Sequence, residues 1–266
     1  MQTSIVKKKL AEGKPVLVPK ACYADPNIIE MLGLLGFDSV WLCNEYRALD
    51  PSTLEHLVRA GRAAGIECVI RTGMNGHDDL SRFLGMGANG IMVPHVRTPE
   101  EARRAVDRIK YPPLGHRELE NIFVDADFGL MPLDEYLRTA NEQTLVVIQL
   151  EDREAIERAD EIAQVEGIDV LFIGPGDLSL ALGVPGQCKH PEVVSAIRSV
   201  VKVCKARGLV CGTPALDPEH CRFLIDEGVR YFTDGSDWRL IVAGFRQAKE
   251  NFGPLGFTFR PERMRQ

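Results

Sequence analysis

Two carboxylates in this chain stand just past short apolar runs: Glu151 ends VIQLE (147–151) and Asp177 follows VLFIGPG (170–176). Two acids brought together in this way have three physical outcomes. They can share a proton, pair with arginine, or hold a divalent cation. Magnesium and manganese take hard oxygen ligands and often use one or two protein carboxylates, which leaves positions for a chelating substrate such as a 2-oxo acid. Gly176 fits this reading, because a residue without Cβ lets backbone N–H groups come close to an anion. The competing reading is that Asp177 caps the helix after it and Glu151 makes a surface ion pair; spacing alone leaves the two open. Other polar residues end similar runs: Cys43-Asn44-Glu45-Tyr46, Arg71, His95, Thr213-Pro214 and Asp234-Gly235.

What must position these residues is a set of apolar, β-branched runs at 16–21, 38–43, 67–71, 90–93, 145–150, 169–173, 209–213 and 230–233. They lack in–out alternation, so both faces should be covered. Helical patterns separate them, as at 153–164 and 191–206. Asp25-Pro26, Asp50-Pro51, Thr98-Pro99 and Asp217-Pro218 each set a capping side chain before a proline suited to the first helical position. Thr98 and Glu101 have capping-box spacing. Eight strands, each followed by a helix, predict a single-domain α/β fold, the closed (β/α)8 or TIM barrel, whose chemistry gathers at the strand C-terminal ends. A doubly wound sheet would want a glycine-rich dinucleotide turn, and the sequence has none. The barrel is expected over 1–252, with an aromatic, basic arm at 253–266. The long connection 111–131 reads as a lid or subunit contact.

Composition sets further bounds. The 266 residues carry a net charge of −6, which argues against a nucleic-acid surface. No apolar stretch is long enough to cross a membrane. Seven scattered cysteines without a Cys-x-x-Cys pair suggest a reduced, cytoplasmic setting.

VEGIDVLFIGPGDLSLALG (165–183), IQLEDREAIERADEI (148–162), VPHVRTPEEARRAV (93–106) and YPPLGHR (111–117) together resemble the HpcH/HpaI aldolase family, metal-dependent pyruvate aldolases of the phosphoenolpyruvate/pyruvate barrel superfamily. The similarity runs from about residue 14 to 252. It implies that Glu151 and Asp177 hold a divalent cation (magnesium, manganese or cobalt) with Gln149 beside it. It also implies that Arg71 contacts a bound 2-oxo acid, that the Gly176 and Asp177 amides take the acid's carboxylate, and that Pro214 lines the substrate site. A homo-oligomer follows too, commonly a hexamer built from dimers that exchange the last barrel helix, here 237–251.

The chain departs from the family at the strand-two turn, which usually reads close to Asp-Gly-Glu-His with the histidine as acid/base. Here the turn is Cys43-Asn44-Glu45-Tyr46, so Tyr46 holds the base position and only Glu45 is kept; Gly85 stands where a second supporting acid is usual. A phenol of pKa near 10 is a poor base. His95, where methionine is usual, and His116, with Asp125 and Asp127 in the long connection, are new polar groups that could reach the rim. The competing readings are a packed histidine at His95 and a surface or subunit contact at His116. The expected function is carbon–carbon lyase chemistry on a 2-oxo acid. Decarboxylation of an oxaloacetate-type acid at the same site, and a non-catalytic oxo-acid or metal binder, are the alternatives.

Overall fold

The computed structural model describes residues 3–47, 49–74 and 79–262. Eight strands form one closed parallel barrel in sequence order: β1 (Val16–Ala21), β2 (Ser39–Cys43), β3 (Glu67–Arg71), β4 (Gly90–Val93), β5 (Leu145–Leu150), β6 (Val170–Ile173), β7 (Val210–Pro214) and β8 (Tyr231–Asp234). Before β1 lies α1 (Ile5–Ala11), and the crossovers carry α2 (Pro26–Leu34), α3 (Pro51–Ala64), α4 (Asp79–Gly85), α5 (Pro99–Ile109), α6 (Leu133–Gln143), α7 (Arg153–Glu157), α8 (Ala159–Ile162), α9 (Pro175–Ala181), α10 (Pro191–Arg207) and α11 (Pro218–Glu227). After β8 comes α12 (Asp237–Phe252). The apolar runs are continuous because each strand is covered twice. Val18, Trp41, Val69, Met92, Val147, Phe172 and Tyr231 fill the barrel. Val40, Ile70, Ile91, Ile148 and Leu171 pack outward under the helices.

The four predicted caps are in place. Side chains of Asp25, Asp50, Thr98 and Asp217 accept from the amides of Asn27, Thr53, Glu101 and His220. The capping box closes differently: the Glu101 carboxylate accepts from the Arg97 amide at 2.7 Å, one residue before the cap. The helical pattern at 153–164 is two short helices, broken where Arg158 adopts φ −98°, ψ 10°.

Within the chain, the connection 111–131 is held by α4, α5 and α6. It leaves the C-terminal end of α5, which lies at the barrel face opposite the strand ends. There the Lys110 ammonium donates to the carbonyls of Asn141 and Thr144, just before β5 begins. His116 is fixed beside it: its amide donates to the Asp107 carbonyl at 2.7 Å and its Nδ1 meets the Asp107 carboxylate at 2.5 Å. The expectation that His116 reaches the reacting groups is thus corrected. Asp125 is not at the rim either. It is buried, accepting from Arg117 at 2.7 Å and from the Tyr136 hydroxyl at 2.6 Å, with Tyr111 stacked edge-on against Tyr136. Asp127 takes the left-handed conformation in a 3-10 turn over 124–129.

α12 buries only Asp237. Trp238, Leu240, Ile241, Val242 and Phe245 are exposed along it. The chain beyond folds back on this helix, with Glu262 in a two-point ion pair to Arg246 and Phe257 edge-on to Phe252. Residues 263–266 of the expected arm lie outside the described residues.

Candidate active site

Every side chain at the mouth is placed by strand period and strand length. On β5 the inward positions include Val147 and Gln149, and Glu151 follows directly after the strand. Gln149 Nε2 donates to Glu151 Oε1 at 2.6 Å. The second Glu151 oxygen, Oε2, accepts the His95 amide at 3.1 Å and lies 3.1 Å from His95 Nδ1. The Glu151 carboxyl is raised to about 7, chiefly by burial and also by nearby Asp177, against the opposing pull of His95 and Arg71. Gly174 makes this packing possible. A Cβ there would sit 2.6 Å from Glu151 Oε1 and 3.1 Å from Gln149 Nε2. Gly176, the glycine singled out from sequence, would place a Cβ within 4 Å of nothing. The steric demand therefore belongs to Gly174.

Across the mouth, Arg71 at the end of β3 is 3% exposed. Its guanidinium is sandwiched between Trp41 and Tyr46, 4.6 and 4.9 Å from the ring centres. Its Nε lies 3.0 Å from Glu45 Oε2, off hydrogen-bond alignment, so the contact is Coulombic. Its Nη2 donates to Cys43 Sγ at 3.1 Å. Burial pushes the Cys43 thiol up, but Arg71 and the amides of Tyr46 and Glu45 outweigh it and leave the thiol below its ordinary value. Glu45 Oε1 meets His95 Nε2 at 3.0 Å. An unbroken polar chain therefore runs Arg71–Glu45–His95–Glu151, and its central imidazole is held by a carboxylate at each nitrogen. His95 sits at φ 55°, a left-handed backbone that costs a non-glycine residue free energy.

Tyr46 is 63% exposed above Arg71. Burial, Glu45 and Asp177 raise its phenol above the ordinary value, so it keeps its proton. Asp177 does not cap its helix. Gly174 holds the cap position of α9, and Asp177 is the helix's third residue. Among the described residues nothing donates a hydrogen bond or an ion pair to its carboxylate. The Gly176 and Asp177 amides precede the first intrahelical bond, Leu178 N–H to the Gly174 carbonyl, and are free for an anion. Pro214 ends β7, half-buried at the same rim. Gly85 lies on α4 against Phe123, away from this cluster.

The donor set suits a hard cation. Asp177 is unpaired and half-buried, Glu151 is a strongly desolvated carboxyl, and the buried Gln149 Oε1 has no hydrogen-bond partner among the described residues. No group of three or more His, Cys, Asp or Glu side chains converges as a metal cage among the described residues. The fit is to a cation that takes few protein ligands and completes its shell with water or substrate.

A closed barrel with paired acids and a buried arginine at its C-terminal mouth defines an enzyme that handles small anionic substrates. The HpcH/HpaI aldolase/citrate lyase family model matches residues 23–243, and the chain belongs to that family. It is similar to the pyruvate aldolase of Rhizobium etli, 34% identical over 238 residues, 90% of this chain and 93% of that protein. Among solved structures it is similar to an HpcH/HpaI aldolase of Desulfitobacterium hafniense (TM-score 0.87, 29% identity, 94% and 97% of the two chains). It is also similar to the citrate synthase SbnG (TM-score 0.84, 32% identity, 94% and 99%). The curated relatives are named aldolases, and the chain is accordingly a carbon–carbon lyase of the class II type.

Proposed function

We propose that this protein cleaves the C3–C4 bond of a 4-hydroxy-2-oxo acid, using a divalent cation held by Glu151 and Asp177. The observation that carries the proposal is the cluster Gln149–Glu151–Asp177 facing Arg71 across one mouth. Magnesium or manganese, with cobalt as a substitute, would supply Lewis acidity at the oxo acid's carbonyl. The chain's own residues supply the rest. The Gly176 and Asp177 amides receive the substrate carboxylate. Arg71, locked between two aromatic rings, holds positive charge where the ketone oxygen becomes negative and needs no reorganisation to do so.

The proton taken from the leaving hydroxyl falls to His95. Tyr46 has the family's usual base position but keeps its proton, whereas His95 Nδ1 is released to accept one when Glu151 turns to the cation, with Glu45 still holding Nε2. Glu45 links it to Arg71, as a base is oriented by a third group in acid–base catalysis. Loss of the hydroxyl proton and breakage of the C3–C4 bond give an aldehyde and an enolate, which regains a proton at C3 to leave the 2-oxo acid product.

One observation favours a second reading. With Tyr46 protonated at the old base position, decarboxylation of an oxaloacetate-type acid needs no alkoxide base and would run on the same residues. The test is release of the 2-oxo acid from a panel of 4-hydroxy-2-oxo acids and from oxaloacetate, with added magnesium or manganese. Turnover that is lost in Asp177→Ala supports the proposal; turnover of oxaloacetate alone selects decarboxylation. No turnover of either by the wild type leaves only a non-catalytic oxo-acid binder.

The exposed apolar face of α12 supports a homo-oligomer in which this helix packs on a second copy, with 253–266 as an arm extending the contact and 1–252 as the barrel proper. The seven cysteines are free, as suits a cytoplasmic enzyme.

A further inference from the structure

A lysine points into this barrel where no acid meets it. Val16 and Val18 of β1 face the barrel interior, and Lys20 continues that alternation at the strand's C-terminal end. It pairs in register with Trp41 of β2, and its ammonium lies 4.6 Å from the indole ring. That indole also carries Arg71, at the same distance. Two cations thus share one aromatic side chain, and the indole Nε1–H is buried without an acceptor among the described residues. Trp41 itself is 6% exposed.

The acids nearby are committed elsewhere. Glu45 meets Arg71 and His95. Asp237, which reaches over the end of β1 from the head of α12, accepts from the amides of Cys22, Tyr23 and Trp238. Among the described residues no carboxylate pairs with Lys20. A partly buried cation facing a second cation across an indole is unfavourable unless an anion comes between or beside them.

We infer that Lys20 forms a second anion subsite on the β1–β2 side of the mouth, and that the physiological substrate is a 2-oxo acid carrying a further carboxylate. This rests on the functional reading above for the oxo-acid end, held on the β5–β6 side. The added carboxylate lies at the other end of the molecule, and Lys20 is a specificity-determining residue rather than a participant in bond cleavage.

The test is equilibrium binding by calorimetry in magnesium, independent of turnover. The ligands are 2-oxoglutarate and 2-oxopentanoate, the second lacking the distal carboxylate. The wild type should prefer the diacid by at least about tenfold, the effect of one charge-assisted contact. Lys20→Met keeps the stem over Trp41 and should erase that preference while leaving 2-oxopentanoate binding unchanged; Lys20→Arg should retain it. Equal affinity of the wild type for both ligands, or equal weakening of both by Lys20→Met, overturns the subsite. Absence of binding heat with either oxo acid removes the functional reading and the subsite with it, a result distinct from binding without preference.

Discussion

His95 carries a conformational cost that its surroundings impose and its position explains. Its left-handed backbone turns the amide and Nδ1 onto Glu151 and sends Nε2 to Glu45. Asparagine tolerates the same backbone, so His95→Asn removes the imidazole with little added strain. It should lower the rate by about a hundredfold or more if the ring transfers the proton. His116→Ala should leave the rate unchanged; initial-rate assays of the two variants side by side check the assignment. Gly174 is a second point of exact fit. Gly174→Ala drives a methyl into Glu151 and Gln149, and should cost about 1–3 kcal/mol of stability together with a measurable loss of manganese affinity. Thermal melts and metal titration read the two effects separately. Glu151, Asp177 and Arg71 were legible in the sequence as polar residues at or just past the ends of apolar runs, and Gln149 only through the resemblance to the family. Lys20 and Trp41 were not, because a lysine inside a strand reads as a solvent-facing residue until the register shows which face it is on. Gly174 was missed in favour of Gly176 because steric contact with a neighbouring strand leaves no local signature.

At the level of elements, the strands were readable almost to the residue, since a doubly covered parallel strand has no polar face to blur its ends. The proline-led helix starts were equally plain. The split of 153–164 at Arg158 was hidden, as nothing in its apolar spacing marks the break. The misplacement of 111–131 has a simple geometric cause. A connection that leaves the C-terminal end of α5 starts at the barrel's N-terminal face and leads into α6, so its length alone does not place it at the active site. That segment is held instead by Arg117, Asp125, Tyr111 and Tyr136. Removing one partner of a buried ion pair costs about 3–5 kcal/mol. Asp125→Ala should therefore lower stability by that order in denaturant titration, while the folded protein keeps wild-type kcat. A loss of kcat without loss of stability would put the loop back at the rim.

On the scale of the whole molecule, the barrel is complete in its strands but leaves α12 with an uncovered apolar side. Phe245, 71% exposed at its middle, is the side chain most in need of cover. Phe245→Glu should shift the protein to a smaller species in sedimentation velocity, because a charge placed in an apolar contact is desolvated without a partner. An unchanged sedimentation coefficient would mean that this face meets no second copy. The barrel's purpose in this account is to bring the ends of β5 and β6 side by side, so that two acids share one doubly charged ion. Manganese binding to the wild type, Glu151→Gln and Asp177→Asn, with and without pyruvate, tests that most directly. One ion should bind per chain, more tightly when pyruvate is present, and at least about tenfold more weakly in each variant. Manganese affinity that either substitution leaves untouched, in protein that is still folded, would contradict it.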